Sequence, residues 1–144
     1  MRNAILSLLA FAAGAASAQS ATPVGTWQTV DDKTGEPKSI VVIADQGGTL
    51  SGRVQQLLRK GADPAARCTE CTDDRKDQPL VGLEIIRGAK KAEGRDVWED
   101  GRILDPENGK TYALRLTPAD GGRKLDVRGS IGPFGRTQTW TRVP

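Results

Sequence analysis

Both cysteines of the chain, Cys68 and Cys71, fall within one charged stretch, RCTECTDDRKDQPL, separated by two residues. A Cys-x-x-Cys pair serves three chemistries: dithiol redox exchange, half of a tetrahedral zinc site, or a structural disulfide. Redox exchange needs a stabilised thiolate, usually at a helix N-terminus in a strand–helix–strand setting. Here Glu70 stands between the cysteines and Asp73 and Asp74 follow, so the local charge opposes a thiolate in spite of Arg67. Structural zinc sites are usually tetrahedral, built from four cysteines, from three cysteines and a histidine, or from two of each, and the chain has two cysteines and no histidine. In an oxidising compartment two such cysteines pair. The reading is a structural Cys68–Cys71 disulfide, with a redox dithiol as the alternative. Closing so short a loop contributes about 2 kcal/mol.

The missing histidine also removes the Ser-His-Asp triad, the Cys-His pair and the histidine general base. Carboxylate chemistry stays open in principle, through Asp73, Asp74, Asp77, Glu99, Asp100 and Asp105. Asp105, however, precedes Pro106 in DPENGK, where its side chain serves the turn's own amides. The others sit among lysines and arginines as solvated surface groups. No glycine-rich phosphate loop opens a helix, because GGTLSG and ADGGRK are hairpin turns. No catalytic residue, metal or cofactor is therefore expected.

Residues 1–18, MRNAILSLLAFAAGAASA, have the form of a secretory leader: a basic residue, an apolar run, and small residues at Ala16-Ser17-Ala18. The run is too short to span a bilayer, and no other segment reaches the roughly 20 apolar residues that spanning needs. This predicts one exported domain over residues 19–144, periplasmic or secreted. Loss of Arg2 would take the formal charge from +3 to +2. The basic residues alternate with acids, as in GAKKAEGRDVWEDGR, so no nucleic-acid surface is expected.

Something must position these residues, and the chain's punctuation says what. It contains 17 glycines and 8 prolines. Short alternating or β-branched runs recur at 24–30, 38–44, 49–58, 80–88, 96–104, 110–118, 123–131 and 137–143, joined mainly by hairpin turns. Eight sequential strands in an open sheet would leave two bare edges. Closure into an eight-stranded antiparallel up-and-down barrel removes both, although a two-sheet sandwich has the same strand count. The termini favour closure: Gly25 and Trp27 open the first strand, while Trp140 and Arg142 end the last. If those strands pair, the guanidinium can lie across an indole face and seal one end.

The Gly-x-Trp with a terminal arginine resembles the lipocalin superfamily. The order VGTW, CTEC, KDQPLVGLEI, GRILDPENGKTY, LDVRGSIG and a final Trp140-x-Arg142 resembles uncharacterised family 2147 of the domains of unknown function, small exported bacterial proteins regarded as lipocalin-like. The matching positions are Trp98, Gly101, Asp105, Pro106, Gly109, Tyr112, Arg128, Gly129, Trp140 and Arg142. The resemblance implies the barrel, the export and an intact cysteine pair; it supplies neither a reaction nor a ligand. The chain departs from typical lipocalins in lacking a Thr-Asp-Tyr-type motif and in placing its longest loop, 59–79, after the third strand.

A closed barrel without catalytic equipment points to a non-enzymatic binding module for a small apolar or amphipathic molecule. The candidate ligand contacts are Trp98, Tyr112, Leu83, Ile85, Leu114 and Arg128. Arg128 belongs to them only if the face of Asp126, Arg128 and Ser130 turns inward, and to solvent otherwise. The rival reading is a solid barrel whose rim and cysteine loop bind a protein partner of the cell envelope. A carboxylate-dependent hydrolase or isomerase, using Asp77 or Asp105, stands third.

Overall fold

The structure, a computed structural model, describes residues 21–144. The predicted leader, residues 1–18, lies outside the described residues. Eight strands follow one another: β1 (Gly25–Val30), β2 (Pro37–Gln46), β3 (Thr49–Leu57), β4 (Glu84–Lys91), β5 (Trp98–Asp105), β6 (Lys110–Ala119), β7 (Lys124–Ile131) and β8 (Phe134–Arg142). Each pairs antiparallel with the next, and β1 pairs with β8, giving a closed barrel in sequence order. The sandwich alternative is thereby excluded. A single turn of 3-10 helix, Asp120–Gly122, bridges β6 and β7. Among the described residues no helix is long and apolar enough to cross a membrane.

The period-2 rule sorts the side chains. On β1 and β2, Trp27, Thr29, Ser39, Val41 and Ile43 are buried, while the residues between them are more exposed. On β7, Leu125 and Val127 are buried and Arg128 is exposed. The strict alternation fails on β4, where Ile85 and Ile86 are both buried. A register shift between Gly52 and Arg53 sets the two isoleucines against one step of β3, as a β-bulge does. The fourth strand begins at Glu84 rather than at Leu80: Gly82 has φ 92° and turns the chain there, which leaves Val81 exposed.

The two ends of the barrel differ. At one end, Trp27, Val41, Ile43, Leu50, Ile86, Ala89, Leu114, Leu116 and Leu125 fill the interior with almost no accessible surface. Arg142 seals this end. Its guanidinium carbon lies 4.3 Å from the centroid of the Trp27 ring. Its nitrogens donate to the carbonyls of Gly122 (2.6 Å), Val24 (3.0 Å) and Thr22 (2.8 Å). Gly25 is required beside it, because a β-carbon at that position would overlap Nη1 of Arg142. The Trp27 indole donates to the Pro23 carbonyl at 2.8 Å.

The β1–β8 ladder is short, with Trp27 opposite Arg142 and Gln28 opposite Thr141. Beyond these pairs, toward the other end, side chains take over. Asp32, just after β1, accepts from Arg136 (3.0 Å) and from Gln138 on β8.

Candidate functional site

Where the packed half ends, the barrel is hollow. A cavity of about 660 Å³ opens at the end that carries the β1–β2, β3–β4, β5–β6 and β7–β8 connections. Its apolar wall comes from Val54, Leu57, Ile85, Ile103, Leu104 and Val127, and Trp140 and Tyr112 add aromatic surface. Polar and charged side chains line it as well. Thr29 and Ser39, both buried, face each other across β1 and β2 with their hydroxyl oxygens 2.7 Å apart. Gln138 accepts from the Trp140 indole at 2.9 Å. The Tyr112 hydroxyl accepts from Asn108 at 3.0 Å. A pocket of this size and lining is suited to a small molecule.

The long connection after β3 forms part of the wall, contributing Ala62, Asp63, Ala66 and Leu80. It is a fastened structure. Cys68 and Cys71 are joined in a disulfide with Cα atoms 5.4 Å apart, and both are buried. The Cys68 amide donates to Gln78 (2.8 Å) and the Leu80 amide to Ala66 (2.9 Å), a small hairpin crossing between Arg67 and Pro79. The buried Arg75 ties the loop to the barrel, donating to the Asp73 carboxylate and, at 2.9 Å, to the Glu84 carbonyl. Arg87 grips Asp74 through two nitrogens at 3.0 and 2.9 Å and also reaches Glu84. The loop then rests on the β5–β6 turn, where Gly109 lies against the Glu70 carbonyl.

These ion pairs set the carboxylate acidities. The Arg75 hydrogen bond is the largest influence on Asp73 and holds its carboxyl down to about 2, from an ordinary 3.8. The Arg87 hydrogen bond lowers Asp74 in the same way. For Glu84, burial pushes upward, but the bond from Ser51 and the charge and bond of Arg87 outweigh it. A depressed carboxyl stabilises the folded form above its unfolded pKa, and that stabilisation is lost as pH falls through the folded value. The cysteine loop should therefore loosen between about pH 4 and about pH 2. Because Asp73 is partly solvated, the loss from this pair is modest, about 1 kcal/mol. Amide exchange at Cys68 and Asp77 measured down that pH range checks it: protection there should fall before protection in β2 and β7.

Of the residues expected at the ligand, Ile85 and Tyr112 line the cavity. Four do not. Leu114 is packed in the filled half, and Trp98, opposite Leu116 on β6, belongs to the same end, with Lys91 5.9 Å from its ring centroid. Leu83 is buried before β4 begins, its carbonyl accepting from Val54. Arg128 points outward, as its exposure and its place between inward Val127 and Gly129 require. Trp140, expected only as part of the closure, lines the cavity as well. Thr29, Ser39 and Gln138 also line the cavity, and the sequence signal for the first two is parity alone: Thr29 alternates with Trp27 and Ser39 with Val41. The apolar tip of the β7–β8 hairpin, Phe134 (80% exposed) and Ile131 (53%), stands at the mouth.

The carboxylates considered for catalysis are dispersed. Asp73 and Asp74 are held by arginines of the loop and β4, and Glu99 lies near Arg95 and Arg115. Asp105 caps its turn by accepting from the Glu107 amide at 2.9 Å. Among the described residues no three Cys, Asp or Glu side chains gather as a metal site.

A barrel of this topology, sealed by arginine on tryptophan at one end and hollow at the other, places the protein among lipocalin-like folds. The chain belongs to the DUF2147 family, described as uncharacterized protein conserved in bacteria, whose model matches residues 25–142. Among solved structures it is similar to protein HP1028 from the human pathogen Helicobacter pylori, described as belonging to the lipocalin family. The two share 20% sequence identity with a TM-score of 0.74, over 87% of this chain and 85% of that one. At that identity the likeness concerns the fold. No curated protein matches the chain.

Proposed function

We propose that this protein is an exported, non-enzymatic carrier that holds a small apolar or amphipathic molecule in the hollow half of its barrel. The observation that carries the reading is the cavity of about 660 Å³ with a largely aliphatic and aromatic wall. Export rests on the leader-like residues 1–18 and on a disulfide suited to an oxidising compartment. The rival envelope-interaction reading called for a solid interior, so the hollow half favours the carrier.

Native mass spectrometry of mature protein prepared without detergent tests this. A retained small molecule, or uptake of added ten-carbon amphiphiles, is the expected result; neither retention nor uptake would sink the reading. A companion variant, Leu57→Trp, places a large side chain at a partly buried position on the cavity wall. Uptake should fall at least tenfold, while the urea midpoint moves by no more than about 1 kcal/mol equivalent, since the space filled is empty rather than packed.

A further inference from the structure

We infer that the cavity selects an uncharged amphiphile bearing an oxygen acceptor, such as an ester, ketone or alcohol, and discriminates against a carboxylate of the same chain length. The inference rests on the carrier reading and concerns which molecules it admits.

The first ground is electrostatic. Three cations line the cavity, Lys38, Arg59 and Arg136, and each is already engaged. Arg59 sits 2.7 Å from both Asp31 and Glu107, Lys38 3.6 Å from Glu107, and Arg136 3.0 Å from Asp32. The lining carboxylates number four, because Asp63 and Asp105 join Asp32 and Glu107. Asp63 and Asp105 accept from the amides of Ala65 (2.8 Å) and Glu107 (2.9 Å), and among the described residues neither is paired with a cation. Among the described residues every lining cation already has a carboxylate partner. With four carboxylates against three cations the lining carries an excess of negative charge. A carboxylate entering the cavity would be repelled or would compete with Asp32 and Glu107 for a cation, and a neutral head group meets neither obstacle.

The second ground is the inventory of hydrogen-bond donors. In the Thr29–Ser39 pair one hydroxyl donates to the other, which commits one proton and leaves the second without an acceptor. The Tyr112 oxygen accepts from Asn108, and its own proton has no acceptor in the protein. Gln138 has both ends of its amide engaged, accepting from Trp140 and donating to Asp32. The cavity thus offers neutral O–H donors among aliphatic side chains. Such donors meet a carbonyl, ester or alcohol oxygen without any charge being buried, and the alkyl part lies on Val54, Leu57, Ile85 and Val127.

The test is a matched series added to the mature protein at neutral pH: methyl decanoate, decanol, decanoate and undecane. Binding is read by calorimetry and by the change in tryptophan fluorescence, to which Trp140 contributes from the cavity wall. Methyl decanoate and decanol are expected to bind at least tenfold more tightly than decanoate, and several-fold more tightly than undecane. In the double variant Thr29→Val, Ser39→Ala the advantage over undecane should shrink several-fold. Removing both hydroxyls together leaves no orphaned partner, so the variant should fold. Decanoate binding as tightly as the ester would overturn the inference and leave the carrier reading standing. An undiminished ester advantage in the double variant would overturn the role of the hydroxyl pair. If no member binds, the carrier reading itself fails, and the inference with it.

Discussion

Replacing Trp27 with alanine is expected to lower the unfolding free energy by about 3–5 kcal/mol, read as a shifted midpoint in urea with the fluorescence of Trp98 and Trp140 as signal. The indole has no accessible surface, and its ring is the platform on which Arg142 lies. Deleting it opens a cavity in the filled half and also strands a guanidinium whose three carbonyl acceptors come from two segments distant in sequence, residues 22–24 and Gly122. Arg142→Lys separates these contributions. A lysine keeps the charge and part of the stacking but cannot serve three carbonyls in one fixed plane, so a loss of about 1–3 kcal/mol is expected. The short β1–β8 ladder makes this closure decisive, since only two residue pairs join the first strand to the last. A loss from Trp27→Ala no larger than that of an ordinary surface substitution would mean that the barrel closes without this seal.

The same pair explains why the barrel could be read from the chain. Eight runs bounded by glycine and proline turns fix the strand count, and a Gly-x-Trp at one terminus with an arginine at the other fixes the closure. Local rules of this kind depend on neighbours in sequence, and they held for seven strands to within a few residues. They failed at Leu80–Leu83, where an apolar run looked like the start of a strand. The cysteine hairpin instead ends at Leu80, and Gly82 turns the chain before β4 begins. The site was less legible, for a physical reason. A cavity is what remains after side chains from all eight strands have packed, and parity says only that a residue points inward, not how far along the axis it sits. Leu114 and Tyr112 share a face of β6, yet one lies in the filled half and the other in the hollow half. Thr29 and Ser39 carry no apolar signal, and only their parity with Trp27 and Val41 points them inward. Arg128 obeyed parity, and reading it as a ligand contact required the opposite face of its strand.

Replacing Gly109 with alanine should detach the cysteine loop from the barrel and cost about 2–4 kcal/mol. Two independent effects add. Gly109 has φ 73°, where a side chain is disfavoured by about 1 kcal/mol or more. Its β-carbon would also overlap the backbone carbonyl of Glu70, between the two cysteines, and a peptide group cannot swing aside as a flexible side chain can. The loop must therefore lift at its disulfide. Arg75 and Arg87 still hold its far side through Asp73, Asp74 and the Glu84 carbonyl, so displacement should be local rather than global. The buried disulfide then becomes the reporter: its reduction by dithiothreitol should be at least tenfold faster in Gly109→Ala than in the unaltered protein, with the barrel's circular dichroism retained. Because Ala62, Asp63, Ala66 and Leu80 of this loop form part of the cavity wall, ligand uptake should weaken in parallel. Gly132, at φ 56° in the β7–β8 turn with open space around it, is the control. Alanine there meets the same backbone penalty without the overlap, so equal reduction rates in the two variants would show that the contact with Glu70 does not hold the loop.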